Sequence, residues 1–123
     1  MSTTTALIAI VDDDVSFRTA LESFARSLGY AAAGFASAEA FLASGSVARA
    51  DCIVSDVQMP GIDGIELVDR LGRMGSTTSV IIVTGGTEPA IRARARDRGV
   101  LCVLQKPFDP QQMADCLARA VEA

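Results

Sequence analysis

Histidine is absent from the 123-residue chain. Histidine general bases, histidine metal sites and serine–histidine triads are therefore excluded. Lysine occurs once, as Lys106, and the three cysteines, Cys52, Cys102 and Cys116, include no C-x-x-C pair. Their odd number and their places in apolar segments favour buried free thiols over a disulfide or a metal cluster. No apolar run approaches the roughly 20 residues of a membrane span, and the polar start Met1-Ser2-Thr3-Thr4-Thr5 lacks the charged and apolar regions of a signal peptide. A soluble, cytoplasmic protein without membrane attachment is expected. Basic charge is also short, 11 Lys+Arg against 15 Asp+Glu for a net charge of −4, so nothing favours a phosphate backbone and no direct nucleic-acid binding is expected. The pair Gly85-Gly86 is not a phosphate-cradling loop of the Walker type, because G-x-x-x-x-G-K-[ST] is missing.

What is present is apolar and periodic. Half of the residues are hydrophobic, and the length suits one domain with a real core, here residues 1–123. Short apolar runs at 6–11, 31–35, 52–55, 80–83 and 100–104 alternate with helical patterns, the signature of repeated βα units. Phe17, Ala20, Leu21, Phe24, Ala25 and Leu28 form the stripe of a first helix that Gly29 would stop. Ser37 can cap a short second helix carrying Phe41 and Leu42, and Ile65, Val68, Leu71 and Met74 give the third its stripe. The fourth, roughly Pro89 to Arg98, has a weak apolar stripe and four arginines, Arg92, Arg94, Arg96 and Arg98; a solvated face or a partner surface would both account for them. The fifth opens at Asp109-Pro110-Gln111-Gln112, where Asp109 can cap and Gln112 can reach back, and then turns Met113, Cys116, Leu117, Ala120 and Val121 inward. Five such units imply a parallel sheet covered by helices on both faces.

The polar residues collect at the strand ends. Asp12-Asp13-Asp14 closes the first run, Asp56 the third, Thr84 the fourth and Lys106 the fifth. In open parallel sheets that edge is where ligands bind. Three carboxylates about 5 Å apart would repel pairwise by roughly 3 kcal/mol at an effective dielectric near 20, so a cation must sit among them, either Lys106 or a hard divalent ion. A carboxylate nucleophile, oxygen ligands for Mg²⁺, a lysine and a hydroxyl are the parts of a phosphoryl-transfer site. A solvated capping loop would explain one or two of the aspartates, but not the arrival of Asp56 and Lys106 at the same edge.

Ile10-Val11-Asp12-Asp13-Asp14, Asp56-Val57-Gln58-Met59-Pro60-Gly61-Ile62-Asp63-Gly64, Val83-Thr84-Gly85 and Lys106-Pro107-Phe108 together resemble the receiver domain of two-component response regulators. The run Ser37-Ala38-Glu39-Ala40-Phe41-Leu42 looks like the nitrogen-fixation subfamily. The resemblance implies a single doubly wound α/β domain of flavodoxin-like topology, with five parallel strands in the order 2-1-3-4-5 and five helices. It implies Asp56 as the residue phosphorylated by a histidine kinase or phosphotransfer protein. Asp13, Asp56 and the Gln58 backbone carbonyl would ligate Mg²⁺, with Asp12 supporting the ion through water. Lys106 would pair with Asp56 and the phosphoryl group, Thr84 would turn its hydroxyl to a phosphoryl oxygen, and the Gly85 backbone N–H would lie beside it. Asp14 would mainly favour the first turn of its helix. A cis Lys106-Pro107 bond would aim the ammonium into the pocket, and a homodimer would use the fourth and fifth helices. Such a protein is a signalling switch that catalyses only its own phosphorylation and dephosphorylation, not an enzyme of metabolism.

One position departs from the pattern. Three residues before the lysine, receivers usually carry an aromatic ring that swings as the threonine moves; here the residue is Val103, stiff and without a ring. The signal is then expected to travel through the loop from Thr84 to Glu88 and the arginine-bearing helix. Gly86 offers no side chain to shield a phosphoryl group, which leaves Gln58 to control hydrolytic water. Two alternatives stand. Asp12-Asp13-Asp14-Val15 also fits the D-x-D-x core of a haloacid-dehalogenase-type phosphatase with Asp12 as nucleophile, although 123 residues leave little room for the remaining acids and cap of that family. A degenerate receiver serving only as an interaction platform is the second. No output segment occurs within the chain, which would be either a stand-alone receiver or part of a longer regulator.

Overall fold

A computed structural model describes residues 5–86 and 88–122. The polar start up to Thr4, and Thr87 in the loop after the fourth strand, lie outside the described residues. Strands β1 (Leu7–Val11), β2 (Ala31–Phe35), β3 (Cys52–Asp56), β4 (Ser79–Thr84) and β5 (Cys102–Gln105) alternate with helices α1 (Val15–Ser27), α2 (Ala38–Ala43), α3 (Gly64–Arg73), α4 (Pro89–Asp97) and α5 (Pro110–Glu122). All strand pairs are parallel, and the order is β2-β1-β3-β4-β5, as the resemblance implies.

Alternation along the strands divides the core into two layers, since successive side chains of a strand point to opposite faces. Ile8, Ile10, Cys52, Val54, Ile81 and Val83 face α1 and α5, which contribute Leu21, Ala25, Met113 and Leu117. Ala9, Val11, Ile53, Val80 and Ile82 face the other way, against Phe41 of α2, Ile65, Leu67 and Leu71 of α3, and Ala95 of α4. The central strands β1 and β3 are buried almost throughout, whereas the edge strands β2 and β5 stay partly exposed.

Local chemistry sets the helix ends. Asp14 accepts from the backbone N–H groups of Ser16 and Phe17 at 3.0 and 3.2 Å, satisfying two donors that a helix leaves orphaned. Gly29 follows α1 with φ +95°, a conformation that costs glycine little. Ser37 caps α2 through the Ala40 N–H, and Asp63 caps α3 through the Glu66 N–H at 2.8 Å.

Several expectations need correction. Ala20 is exposed, and Leu28 and Met74, 42% and 58% exposed, have left the helical faces that period alone would assign them. Leu28 is the C-cap of α1 and Met74 that of α3, where the chain already departs from helical direction. Leu67, not counted in the third stripe, is fully buried. Asp109 accepts from the Gln111 N–H at 2.8 Å, but among the described residues Gln112 makes no bond back, and Gln111 instead donates to Asp115 at 3.0 Å. The arginine helix is held more firmly than its stripe suggests: Arg98 pairs with Asp69 of α3 at 2.8 Å, and Arg92 reaches the Val103 carbonyl of β5 at 3.4 Å.

The cysteines give the largest correction. Cys52 is a buried free thiol as expected, but Cys102 and Cys116 are joined as a disulfide, with Cα atoms 6.5 Å apart. Packing of α5 against the edge strand brings the two together, and spacing along the chain carries no sign of it. Among the described residues no helix is long and apolar enough to cross a membrane.

Candidate functional site

Strand register delivers the acids to one point. Val11 pairs with Ser55, so the next residues, Asp12 and Asp56, fall side by side where the strand order reverses between β1 and β3. That reversal opens the crevice in which doubly wound sheets hold ligands. Asp12 is 1% exposed and Asp56 8%, while Asp13 faces solvent. Carboxylate oxygens of all three lie within 4.8 Å of one another. Asp14 stays out of the cluster, its carboxylate spent on the α1 cap.

The surrounding backbone is pinned. The Asp14 N–H donates to Asp12 Oδ1 at 2.9 Å, and the Arg18 guanidinium donates to the Asp12 carbonyl at 2.8 Å. Beneath Asp56, the Ser55 hydroxyl donates to the Asp56 carbonyl at 3.0 Å. Gly64 opens α3 so close to that strand end that a Cβ there would collide with the Asp56 carbonyl oxygen.

Lys106 reaches across from the end of β5, immediately before a cis Lys106-Pro107 bond. Its Nζ stands 2.8 Å from Asp12 Oδ2 and 3.4 Å from Asp56 Oδ2. The ammonium also lies 4.3 Å from the centroid of the Phe17 ring, a cation–π distance. Phe17 in turn meets Phe108 edge-on at 5.8 Å, with Phe24 5.3 Å from Phe108 behind it. Aromatic packing thus flanks the lysine.

Charge in the pocket is unbalanced. Burial pushes the Asp56 carboxyl up from its usual range, and the neighbouring Asp12 adds to the shift. Lys106 and the Gln58 backbone N–H pull it back only in part. For Lys106, burial acts to lower the ammonium, but Asp12 and Asp56 outweigh it and the net shift is upward. Among the described residues, one cation, Lys106, is ion-paired within the three-carboxylate cluster. Asp12 Oδ2, buried, has the Lys106 ammonium 2.8 Å away as its partner among the described residues, and that ammonium is shared with Asp56. Three carboxylates whose oxygens converge within 4.8 Å form a donor set of hard oxygens that could hold a divalent metal ion beside the lysine.

Thr84, 2% exposed, ends β4. Its Oγ1 accepts from the Gly86 N–H at 3.1 Å, and its carbonyl accepts from the Lys106 N–H at 2.8 Å, tying the ends of β4 and β5 together. Gly85 is exposed beside it, with nothing within 4 Å of where a Cβ would stand. Gln58 is exposed, and its backbone lies against the Asp56 carboxylate. Phe17, Ser55 and Gly64 line this site, although the sequence gives Phe17 and Ser55 only as stripe and strand residues and Gly64 only as the end of the motif that begins at Asp56. Their signal was position: Phe17 sits in the first turn after the acids, and Gly64 closes the segment that follows Asp56. Asp12 is less accessible than Asp56, 1% against 8% exposed, and lies nearer the Lys106 ammonium, 2.8 against 3.4 Å.

Comparison with known proteins agrees with this geometry. A family model described as the response regulator receiver domain matches residues 8–118. Nodulation protein W of Bradyrhizobium diazoefficiens is 32% identical over 121 residues, covering 98% of this chain and 53% of that protein. The transcriptional regulatory protein FixJ of Azorhizobium caulinodans is 38% identical over 102 residues, covering 83% and 48%. The chain thus spans about half the length of these curated relatives. Among solved structures, FixJ-N superposes with a TM-score of 0.87 at 29% identity, covering 98% of this chain and 96% of that one. The chemotaxis protein CheY4 of Vibrio cholerae gives 0.86 at 29% identity, with 95% and 99% covered. With the matched model running from β1 into α5 and the acids meeting as they do, this chain belongs to the response regulator receiver domain family.

Proposed function

We propose that residues 1–123 act as one phosphoacceptor receiver in which Asp56 takes a phosphoryl group from a histidine kinase or a phosphotransfer protein. The observation that carries this reading is the meeting of Asp12, Asp13 and Asp56 with Lys106 at one strand edge. A carboxylate oxygen of Asp56 attacks phosphorus, the nitrogen–phosphorus bond of the donor breaks, and its electron pair leaves with the imidazole. Asp13, Asp56 and the Gln58 carbonyl would hold Mg²⁺, with Asp12 supporting it. When bound, the ion neutralises charge on the transferring phosphoryl oxygens. Lys106 shifts from the carboxylates to a phosphoryl oxygen, for which its ammonium is already held at the pocket by Phe17. Thr84 exchanges its Gly86 N–H contact for the phosphoryl group, and the Gly85 N–H donates beside it.

The reading makes this chain a switch that controls an output partner or a further domain, working in the cytoplasm without contacting nucleic acid or membrane itself. A homodimer through α4 and α5 is the matching assembly. Incubation with acetyl phosphate and Mg²⁺, followed by reduction with borohydride and peptide mapping, tests the assignment. The label is expected on Asp56 alone, lost in Asp56→Asn and lost on chelation. Label on Asp12 would restore the phosphatase alternative, and no label would favour an interaction platform.

A further inference from the structure

We infer that Cys102 and Cys116 form a redox-active dithiol site on the β5–α5 face, one that exchanges with low-molecular-weight disulfides independently of phosphoryl chemistry. Three observations carry the assignment. The Cα atoms stand 6.5 Å apart, inside the range that a disulfide spans without backbone movement. The two residues differ in access: Cys102, on an edge strand, is partly exposed, while Cys116 is 6% exposed on the inner face of α5. Both line an open groove with Arg96, Leu104, Gln112, Asp115 and Arg119. Finally, the Arg119 guanidinium lies 3.9 Å from Cys102 Sγ, and a cation beside a sulfur favours the thiolate, the reactive form.

These differences assign the roles. Cys102 is the attacking thiolate and Cys116 the resolving thiol. With oxidised glutathione as the small disulfide, the Cys102 thiolate attacks one sulfur, the sulfur–sulfur bond of the oxidant breaks, and a glutathione thiolate leaves and takes up a proton. Cys116 then loses its proton to solvent and attacks Cys102 Sγ. The intrachain bond forms, and the second glutathione leaves. Two protein thiols are oxidised, and one small disulfide is reduced to two thiols. Cys52, fully buried in β3, has no part. Oxidation clips α5 to the strand whose end carries Lys106, so the state of the pair bears on the face that α4, β5 and α5 share.

The test uses the full chain, reduced and then equilibrated with defined ratios of reduced to oxidised glutathione, quenched with acid and alkylated. Peptide mass mapping reads the product. A reversible monomeric transition is expected, in which two thiols disappear into a Cys102–Cys116 link and Cys52 stays alkylatable after unfolding. Arg119→Gln should slow oxidation about threefold, because thiolate fraction and intrinsic nucleophilicity change in opposite senses. Arg119→Lys should retain the rate. Three persistent thiols, links between chains or to Cys52, resistance of the bond to reduced glutathione in the native protein, or an unchanged rate in Arg119→Gln would each overturn the proposal. Asp56→Asn is expected to leave this chemistry untouched, so the redox and phosphoryl readings fail separately.

Discussion

At the scale of single residues, the site is governed by where charge is buried. Among the described residues Lys106 is the one cation ion-paired with Asp12 and Asp56, and removing one partner of a buried pair leaves the other uncompensated. Lys106→Met is expected to lower the unfolding free energy by about 2–4 kcal/mol, read as a shifted urea midpoint at constant slope. Millimolar Mg²⁺ should restore part of that loss in the variant, since an ion that binds only the folded state stabilises it. A variant as stable as the parent would show that the pair carries no compensation. Cys52 offers a second residue-scale test. Burial, with the Asp51 carboxylate assisting, pushes its thiol from 9.0 to about 12. The unfolded chain then loses its thiol proton near pH 9 while the folded chain keeps it, so stability falls as pH rises between these values, by about 1.4 kcal/mol per pH unit. Denaturation midpoints from pH 8 to 11 should decline more steeply in the parent than in Cys52→Ala. Equal slopes would refute the shift.

At the scale of elements, helix starts place the chemistry. α1 begins where Asp14 caps it, which puts Phe17 under the Lys106 ammonium. α3 begins at Gly64 because no side chain fits against the Asp56 carbonyl. Gly64→Ala is therefore expected to cost about 1–3 kcal/mol by overpacking and to reduce metal-dependent phosphorylation of Asp56 more than its stability loss explains. Retention of both stability and labelling rate would contradict that contact. Caps, glycine stops and strand runs were legible along the chain because they depend on neighbours in sequence. Leu28 and Met74 depart from the faces their spacing implies because the 3.6-residue period carries no information on where a helix ends. Leu67 escaped for the converse reason: the third helix buries a wider face than its sequence stripe.

At the scale of the molecule, the sheet order brings four separated segments to one edge, and the Cys102–Cys116 link ties β5 to α5. A link closing a 14-residue separation is expected to stabilise the fold by about 3 kcal/mol, so reducing agent should lower the denaturation midpoint of the parent but not of Cys102→Ala. Val103 packs against the core while Arg92 of α4 bonds to its carbonyl. If the chain works as the proposed receiver, that bond is the expected backbone route between α4 and the strand whose end carries Lys106. On phosphorylation, amide shift changes are expected to extend along α4 and to shrink in Arg92→Gln; changes confined to the acid pocket would exclude this route.

Local order alone determined the alternating elements, the caps, the acids at strand ends and the family resemblance, because each is written in residues close together in the chain. Only the tertiary structure decided that Phe17 walls the lysine, that Asp12 rather than Asp56 is its nearer partner, and that two cysteines on different elements meet. Those contacts join segments far apart in sequence, and their distances come from how the helices pack on the sheet, which no short pattern encodes.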